Sequence, residues 1–467
     1  MFKLSFIYVG SFCFVLSLLS FFNIIYSYYF EIHYNIEIYT YTIVISLLLS
    51  SLFFFKKSHF KKISIYEKII AVGLGYIILP LIISIPYYYG LNYLSFLDSY
   101  FEAVSGFTST GFSIFENVKY LDKSLLLWRS TSQWFGGLYF LISILFLIDI
   151  YDDNYKKILT NFISLDINEI IKQSTKILFV YTSITIGLFL IYKIINLRTY
   201  DSFNLALTII SSGGFLIVNN LTDILQTNFQ IYIFSLSMLI SFFGILLPYN
   251  VIFLKKKNLT VFTEDYYLLL YFLFLVGLFF IFFNTENSFS LTLFSLISSI
   301  SNIGFSFNIQ NQNNFIFLIL VIIGGSLFST SSGLRFLKIY LLTKFSFNEL
   351  VSHSKPKHIL LNKVLFSKEK IDSNDINKYF FTVIIFVLSL TLLISLLTLF
   401  DIDFDDAFKL GILTLMNTVN SSLHDLENLN FAEFSFSLKF TLILFMIIGR
   451  IEFISILILI KKFVFKN

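Results

Sequence analysis

The chain has 467 residues, of which 57% are hydrophobic, 19% aromatic and only 13% charged, with mean hydropathy +0.81 and a formal net charge of +4. Water-soluble domains average about 25% charged residues, so this chain carries too little charge to cover itself in water. Its apolar runs of about 20 residues match the roughly 30 Å of a hydrocarbon core at 1.5 Å per residue, which excludes a soluble enzyme or binding module. A single cysteine, Cys13, sits in an apolar run and leaves no intrachain disulfide or multi-cysteine metal centre. The five histidines are scattered without ligand spacing.

Apolar runs follow one another near Leu4–Phe30, Ile36–Phe55, Ile69–Tyr89, Leu125–Ile150, Ile177–Leu197, Phe229–Leu254, Tyr266–Phe283, Phe315–Leu342, Tyr379–Phe400 and Phe436–Ile460. They predict an all-α polytopic membrane protein of about ten spans. The first run is long for a signal peptide and lacks a small-residue cleavage site, so it reads as a retained helix. The connecting loops sort by charge. One alternate set holds Lys56, Lys57, Lys61, Lys62 and Lys68, then Lys156, Lys157, Lys172 and Lys176, then Lys255–Lys257, then Arg335 to Lys378, and finally Lys461, Lys462 and Lys466. The other set is acidic: Glu31 and Glu37, Asp98 and Glu102, Asp201, Glu286, then Asp401, Asp403, Asp405 and Asp406. The positive-inside rule places the basic loops and both termini in the cytoplasm.

After the first two helices, each remaining pair is joined on the outside by a half-apolar, Ser/Thr/Gly-rich stretch: DSYFEAVSGFTSTGFS, DSFNLALTIISSGGFL, SLTLFSLISSISNIGFS and DAFKLGILTLMNTVNSS. Asp98 to Gly111 and Asp201 to Gly214 share one spacing, and Gly-Phe recurs at Gly111, Gly214 and Gly304. An aspartate ahead of a semi-apolar run suggests an N-capped helix too short to span. A short helix followed by a glycine-bearing polar strand describes a re-entrant pore loop, tolerated at membrane depth only where it lines water or is buried in protein. The helix dipole and the bare carbonyls after it favour a cation. The four candidate filter strands are Thr108-Ser109-Thr110-Gly111, Ser211-Ser212-Gly213-Gly214, Ser301-Asn302-Ile303-Gly304 and Asn417-Thr418-Val419-Asn420, with K+ as the bound ion. The bland alternative is a set of ordinary outer loops with glycine turns.

On these residues the chain resembles the Trk/Ktr/HKT superfamily of K+ transporters. AVSGFTSTGF is similar to the family's first filter, and WRSTSQWFGG (Trp128 to Gly137), GGSLFSTSSGLRFLK (Gly324 to Lys338) and GRIE (Gly449 to Glu452) are similar to its other conserved stretches. The resemblance covers nearly everything from Ile69 onward. It implies an N-terminal helix pair (1–62) and four helix–pore loop–helix repeats in pseudo-fourfold arrangement, at 63–160, 161–260, 261–370 and 371–467. It also implies a homodimer in the bilayer of a bacterial inner membrane, working with a cytoplasmic nucleotide-binding regulatory subunit. Neither a nucleic-acid partner nor a cofactor in this chain is expected; the ion is cargo, K+ or Na+.

Phe315–Leu342 is interrupted by Gly324, Gly325, Ser326, Ser329, Thr330, Ser331, Ser332 and Gly333. A helix so rich in small residues breaks or unwinds, and the resemblance makes this segment a gate beneath the filter. Close helix packing through small residues is the other reading. Arg450 lies deep in the last apolar run, where a charge costs about 2.5–3.5 kcal/mol on insertion scales and faces a cavity or a partner. The resemblance makes it a pore-facing charge; an ion pair with Glu452 is the structural alternative, awkward because residues two apart point to different helix faces.

The fourth hairpin departs from the pattern. Val419 stands at the filter-glycine position and Asn420 follows it. Pore-forming K+ uptake down the electrochemical gradient remains the leading expectation, and the missing glycine makes a Na+-permeable or poorly selective cation transporter of the same fold the alternative. A membrane-embedded enzyme would need clustered His, Asp or Glu. Only His424-Asp425 suggests that, in what reads as a solvated outer loop. Inverted halves would suit a coupled secondary transporter better than four parallel hairpins do.

Overall fold

The computed structural model describes residues 3–54, 64–147, 167–245, 248, 252, 263–283, 289–307, 314–354, 373–426 and 429–451. The basic runs at 55–62, 156–157, 255–257, 355–370 and 461–466, together with Glu286 and Glu452, lie outside them.

The chain is an all-α polytopic membrane protein. α1 (Lys3–Tyr29) and α2 (His33–Phe54) form an antiparallel pair. The third apolar run is split at Ser84, with Pro86 just beyond it, into α3 (Ile65–Ile83) and α4 (Ile85–Gly90). Then follow α5 (Phe96–Phe107), α6 (Lys123–Phe146), α7 (Ile167–Ile194), α8 (Thr199–Ile210), α9 (Asn228–Phe242), α10 (Thr263–Phe283), α11 (Phe289–Ile300) and α12 (Asn314–Ile322). A two-residue parallel bridge joins β1 (Ile323–Gly324) to β2 (Leu334–Arg335). α13 (Phe336–Ser354), α14 (Ser373–Leu399), α15 (Phe404–Leu415) and α16 (Phe436–Arg450) complete the described chain.

Five helical stretches among the described residues are long and apolar enough to cross a bilayer: 7–29, 65–90, 172–194, 264–281 and 376–399. Their exposed faces carry large apolar side chains such as Leu18, Leu190, Phe274 and Leu388, the surface that lipid covers. α6 lies at the centre, buried from Ser124 through Phe146. Its polar atoms fasten the surrounding helices. Trp128 Nε1 donates to Ile83 O (3.0 Å) and Trp134 Nε1 to Thr185 Oγ1 (3.0 Å). Tyr139 OH donates to Val72 O (2.8 Å), and Ser124 Oγ to Tyr39 OH on α2 (3.0 Å). Tyr8 OH meets Ser143 Oγ at 3.0 Å, so the N-terminal pair is keyed to the core by hydroxyls as well as by shape.

α5, α8, α11 and α15 are the four short helices expected from the repeat, each of 12 residues. Their aspartates sit differently from the expected caps. Ser95 is the N-cap of α5, accepting from Asp98 N (3.1 Å), while Asp98 and Asp201 occupy first-turn positions. There a carboxylate still complements the positive end of the helix dipole.

Candidate functional site

The four short helices end in the same backbone figure. Thr110 N donates to Ser105 O (2.9 Å), Gly213 N to Thr208 O (2.8 Å), Ile303 N to Ser298 O (3.2 Å) and Thr418 N to Leu413 O (3.0 Å). The residue before each donor is left-handed: Ser109 at φ 58°, Ser212 at 55°, Asn302 at 57° and Asn417 at 47°. That region is unusual for a residue with a Cβ, and its recurrence at four equivalent places fixes the alignment. By this register the fourth strand is Met416-Asn417-Thr418-Val419, one residue earlier than the expected 417–420. Val419 is thus the equivalent of Gly111, Gly214 and Gly304.

Those four positions converge. A Cβ built on Gly111 would lie 2.6 Å from Gly214 Cα and 3.0 Å from Val419 Cβ; one on Gly214 would lie 2.5 Å from Val419 Cβ. One on Gly304 would meet Val419 O at 2.7 Å and Val419 Cγ1 at 2.9 Å. The cluster has room for one side chain, and Val419 takes it. Gly111 (φ +85°) and Gly304 (φ +80°) require glycine conformationally as well; Gly214 and Val419 are not left-handed. The fourth position tolerates valine because its backbone makes no demand that only glycine meets.

Three strands are tied back to their helices by a hydroxyl seven residues ahead of the phenylalanine: Ser105 Oγ to Phe112 O (2.6 Å), Thr208 Oγ1 to Phe215 O (3.3 Å) and Ser298 Oγ to Phe305 O (2.7 Å). The fourth helix has Leu413 there, which cannot donate. The recurring Ser/Thr-to-Phe spacing was a signal available in the sequence. Further bonds lock the strands to one another and to the helices around them. Ser212 Oγ donates to Ser301 O (2.5 Å), Asn417 Nδ2 to Thr110 Oγ1 and Met446 O (both 2.9 Å), and Asn302 Nδ2 to Val321 O (2.7 Å). Thr108 Oγ1 meets Thr110 Oγ1 at 2.7 Å, and Asn420 Nδ2 reaches Leu426 O at 3.2 Å.

A cavity of about 420 Å³ opens over this cluster, floored by Gly111, Gly214 and Val419. Its wall holds a buried ion pair. Arg129 Nε lies 2.9 Å from Glu102 Oε1, with the two side chains 2% and 0% exposed. Arg129 also donates to Leu216 O (3.2 Å) and Ser113 Oγ (3.0 Å), and its guanidinium lies 4.1 Å from the Phe215 ring centre. Glu102 accepts from Ile114 N (3.0 Å). One pair thus joins the segments following the first two strands. Gln133, on the same helix, accepts from Phe215 N (3.3 Å) and packs on Gly213. Gly136 allows α6 to touch Phe107 at the end of α5, where a Cβ would strike Phe107 O at 1.9 Å. WRSTSQWFGG is therefore the buttress of the first two strands, a role the motif alone did not disclose.

The segment 324–333 leaves the helix as expected and lies on the opposite side of the strands from the cavity, wholly buried but for Gly333. Gly325 N donates to Ser331 Oγ (3.0 Å), and Ser329 Oγ meets Ser331 Oγ at 3.0 Å. Thr330 Oγ1 donates to Ile210 O at the end of α8 (2.7 Å), and Ser332 Oγ lies 3.5 Å from Asn417 Oδ1. Ser326 N donates to Phe242 O (3.0 Å), and Gly333 (φ +82°) makes the returning turn against Gly324. Arg450 is 2% exposed, donates from Nη1 to Ser332 Oγ and stacks 4.0 Å from the Phe140 ring centre. Segment and charge meet at one point beneath the strands. His424, expected in a solvated loop, is instead buried, with neither ring nitrogen hydrogen-bonded among the described residues.

No family model matches the chain. It is 24% identical over 440 residues to an uncharacterized cation transporter, MJ1485, of Methanocaldococcus jannaschii, a match covering 87% of this chain and 85% of that protein. It is 22% identical over 297 residues to the Trk system potassium uptake protein TrkH of Halomonas elongata, covering 59% of this chain and 61% of that protein. The Trk system potassium uptake protein TrkG of Escherichia coli is also 22% identical, over 294 residues, covering 57% and 59%. The crystal structure of the potassium transporter TrkH from Vibrio parahaemolyticus has the same fold, with TM-score 0.84 over 98% of both chains at 20% identity. By fold the chain is like this potassium transporter, and by sequence it is similar to Trk-type potassium uptake proteins and a cation transporter.

Proposed function

We propose that the chain is the pore-forming subunit of a K+ uptake system. The observation that carries this reading is the fourfold convergence of left-handed turns and filter positions at Gly111, Gly214, Gly304 and Val419. The short helices bring their negative C-terminal ends, and then the strand carbonyls, to one axis, where carbonyl oxygens replace a cation's hydration shell. The membrane potential drives the ion inward, and no covalent chemistry takes part. The relatives support this, being a cation transporter and potassium uptake proteins by name.

The 324–333 segment is the gate, obstructing the path below the strands, and Arg450 is the pore charge that restrains passage there. Both termini are cytoplasmic, and the working form is a homodimer with a nucleotide-binding regulator on the cytoplasmic side. Val419 favours the second reading, a Na+-permeable or weakly selective transporter, because one side chain in the ring disturbs its symmetry. The deciding experiment is Rb+ or K+ against Na+ uptake into proteoliposomes at fixed membrane potential. Preference for K+ or Rb+ supports the first reading, equal or Na+-favouring flux the second, and no cation flux in any state overturns both.

A further inference from the structure

At the first turn of α10, two adjacent carboxylates reach away from their own helix to backbone N–H groups of other segments. Glu264 Oε1 accepts from Leu327 N at 2.9 Å, inside the gate segment. Asp265 Oδ1 accepts from Gly244 N at 3.2 Å, just past the end of α9. Acidic residues at a helix start commonly serve only the helix dipole, but that role does not need foreign backbone donors. The two segments they reach are also bonded to each other. Ser326 N donates to Phe242 O (3.0 Å), Ile245 N to Phe328 O (3.0 Å) and Ser331 N to Ser241 O (3.1 Å). A Cβ on Gly244 would lie 2.6 Å from Ser326 Oγ, so the seam is tight. From its other side Arg335 Nη1 donates to Ser326 O (3.1 Å) and Ser331 O (3.0 Å).

We infer that Glu264 is a positioning residue of the gate: with Asp265 it staples the seam between the end of α9 and the 324–333 segment in its obstructing position. Leu327 and Phe328 are buried where water cannot substitute for the Glu264 oxygen, so losing that acceptor would leave the Leu327 N–H unsatisfied. Moving the gate then requires the Leu327 N–H to leave Glu264. The inference rests on the transport reading and on the segment's role as gate.

The test is Rb+ and Na+ flux through the full-length protein in proteoliposomes. Glu264→Ala is expected to raise basal Rb+ flux several-fold with the Rb+ to Na+ ratio unchanged, whereas Glu264→Gln, which keeps an acceptor oxygen, stays near the parent. If Glu264→Ala does not reach the membrane intact, Glu264→Asp, one methylene shorter, gives the same reading. A variant with the 324–333 segment shortened tests the gate separately. Higher flux in that variant with unchanged flux in the Glu264 variants overturns the staple and leaves the gate. Unchanged flux in both overturns gate and staple together.

Discussion

Val419 stands in the space that a side chain on Gly214 would need, with its Cβ 2.5 Å from where a Gly214 Cβ would lie. Gly214 is not left-handed, so its need for glycine is purely steric, whereas Gly111 at φ +85° is bound by conformation and by the Gly214 backbone at 2.6 Å. Gly214→Ala is therefore expected to reduce cation flux about tenfold or more, and Val419→Gly in the same chain to restore most of it. Gly111→Ala loses flux equally but is not rescued, because an alanine in the left-handed region costs about 1–2 kcal/mol wherever its neighbours are. Flux through the three variants and the two double variants checks this; rescue of Gly111→Ala would show that crowding alone governs both sites.

Val419→Gly alone completes the set of four glycines. Removing the one side chain from the convergence lets the fourth strand approach the geometry of the other three, so the K+ to Na+ flux ratio should rise. Leu413 leaves that strand without the hydroxyl tether of its neighbours, so the gain should grow further with Leu413→Ser. Bi-ionic potentials measured on the single and double variants report it, and a ratio that falls in both would mean the valine itself supports discrimination.

Much of this was legible in the residues, and the reasons are physical. The apolar runs had to be long enough for a bilayer, and Gly111, Gly214 and Gly304 had to recur because their site leaves no room for a side chain. Val419 could be aligned by counting, but why it is tolerated could not, since that depends on the φ of one backbone bond. The four-residue frame slipped by one at 417–420 because no glycine marked the fourth strand. Arg129, Glu102 and Gln133 stayed hidden because their partners lie 11 to 87 residues away, and periodicity carries no information about such pairings. His424 was misplaced because a polar pair beside an outer loop reads as solvated, whereas packing after the fourth strand buries it.

Arg129 and Glu102 make a buried pair whose members also serve the first two strands. Breaking such a pair by removing one partner leaves an uncompensated charge and costs about 3–5 kcal/mol. Arg129→Ala should accordingly lower the unfolding temperature and impair flux, while Glu102→Leu with Arg129→Met should recover stability more than flux, because Leu216 O and Ser113 Oγ stay unheld. Thermal unfolding beside flux separates the two; equal recovery of both would assign the pair to stability alone.

Arg450 carries its charge directly under the strands, its Nη1 on Ser332 Oγ. On the proposed inward path, cations leaving the strands would meet this charge in a poorly solvated place, where repulsion is stronger than in water. Arg450→Gln, which removes the charge, should raise inward Rb+ flux several-fold. Arg450→Lys should stay near the parent. Equal flux in all three would remove the charge from the conduction path.

Burial pushes the His424 imidazole down to about 3 from an ordinary value of 6.5. In the fold it is therefore neutral at physiological pH, and an unfolded chain takes up its proton first as pH falls. Between about pH 6.5 and 3 the unfolded state binds more protons, so acidification lowers stability through this group, while above 6.5 it contributes no slope. Unfolding temperatures in detergent should fall between pH 7 and 5, and His424→Leu should remove part of that fall while leaving the value at pH 7.5 nearly unchanged. Asp98 acts at the lower end of the same range. Burial raises its carboxyl, but hydrogen bonds from Lys439 and Ser95 and the ammonium's charge outweigh it and hold the group below its ordinary 3.8. Its share of stability is thus present above about 3.8 and lost as pH drops through the lowered value. Any slope that His424→Leu leaves between pH 7 and 5 therefore does not come from Asp98, and an unaltered slope in that variant would place the titrating group elsewhere in the chain.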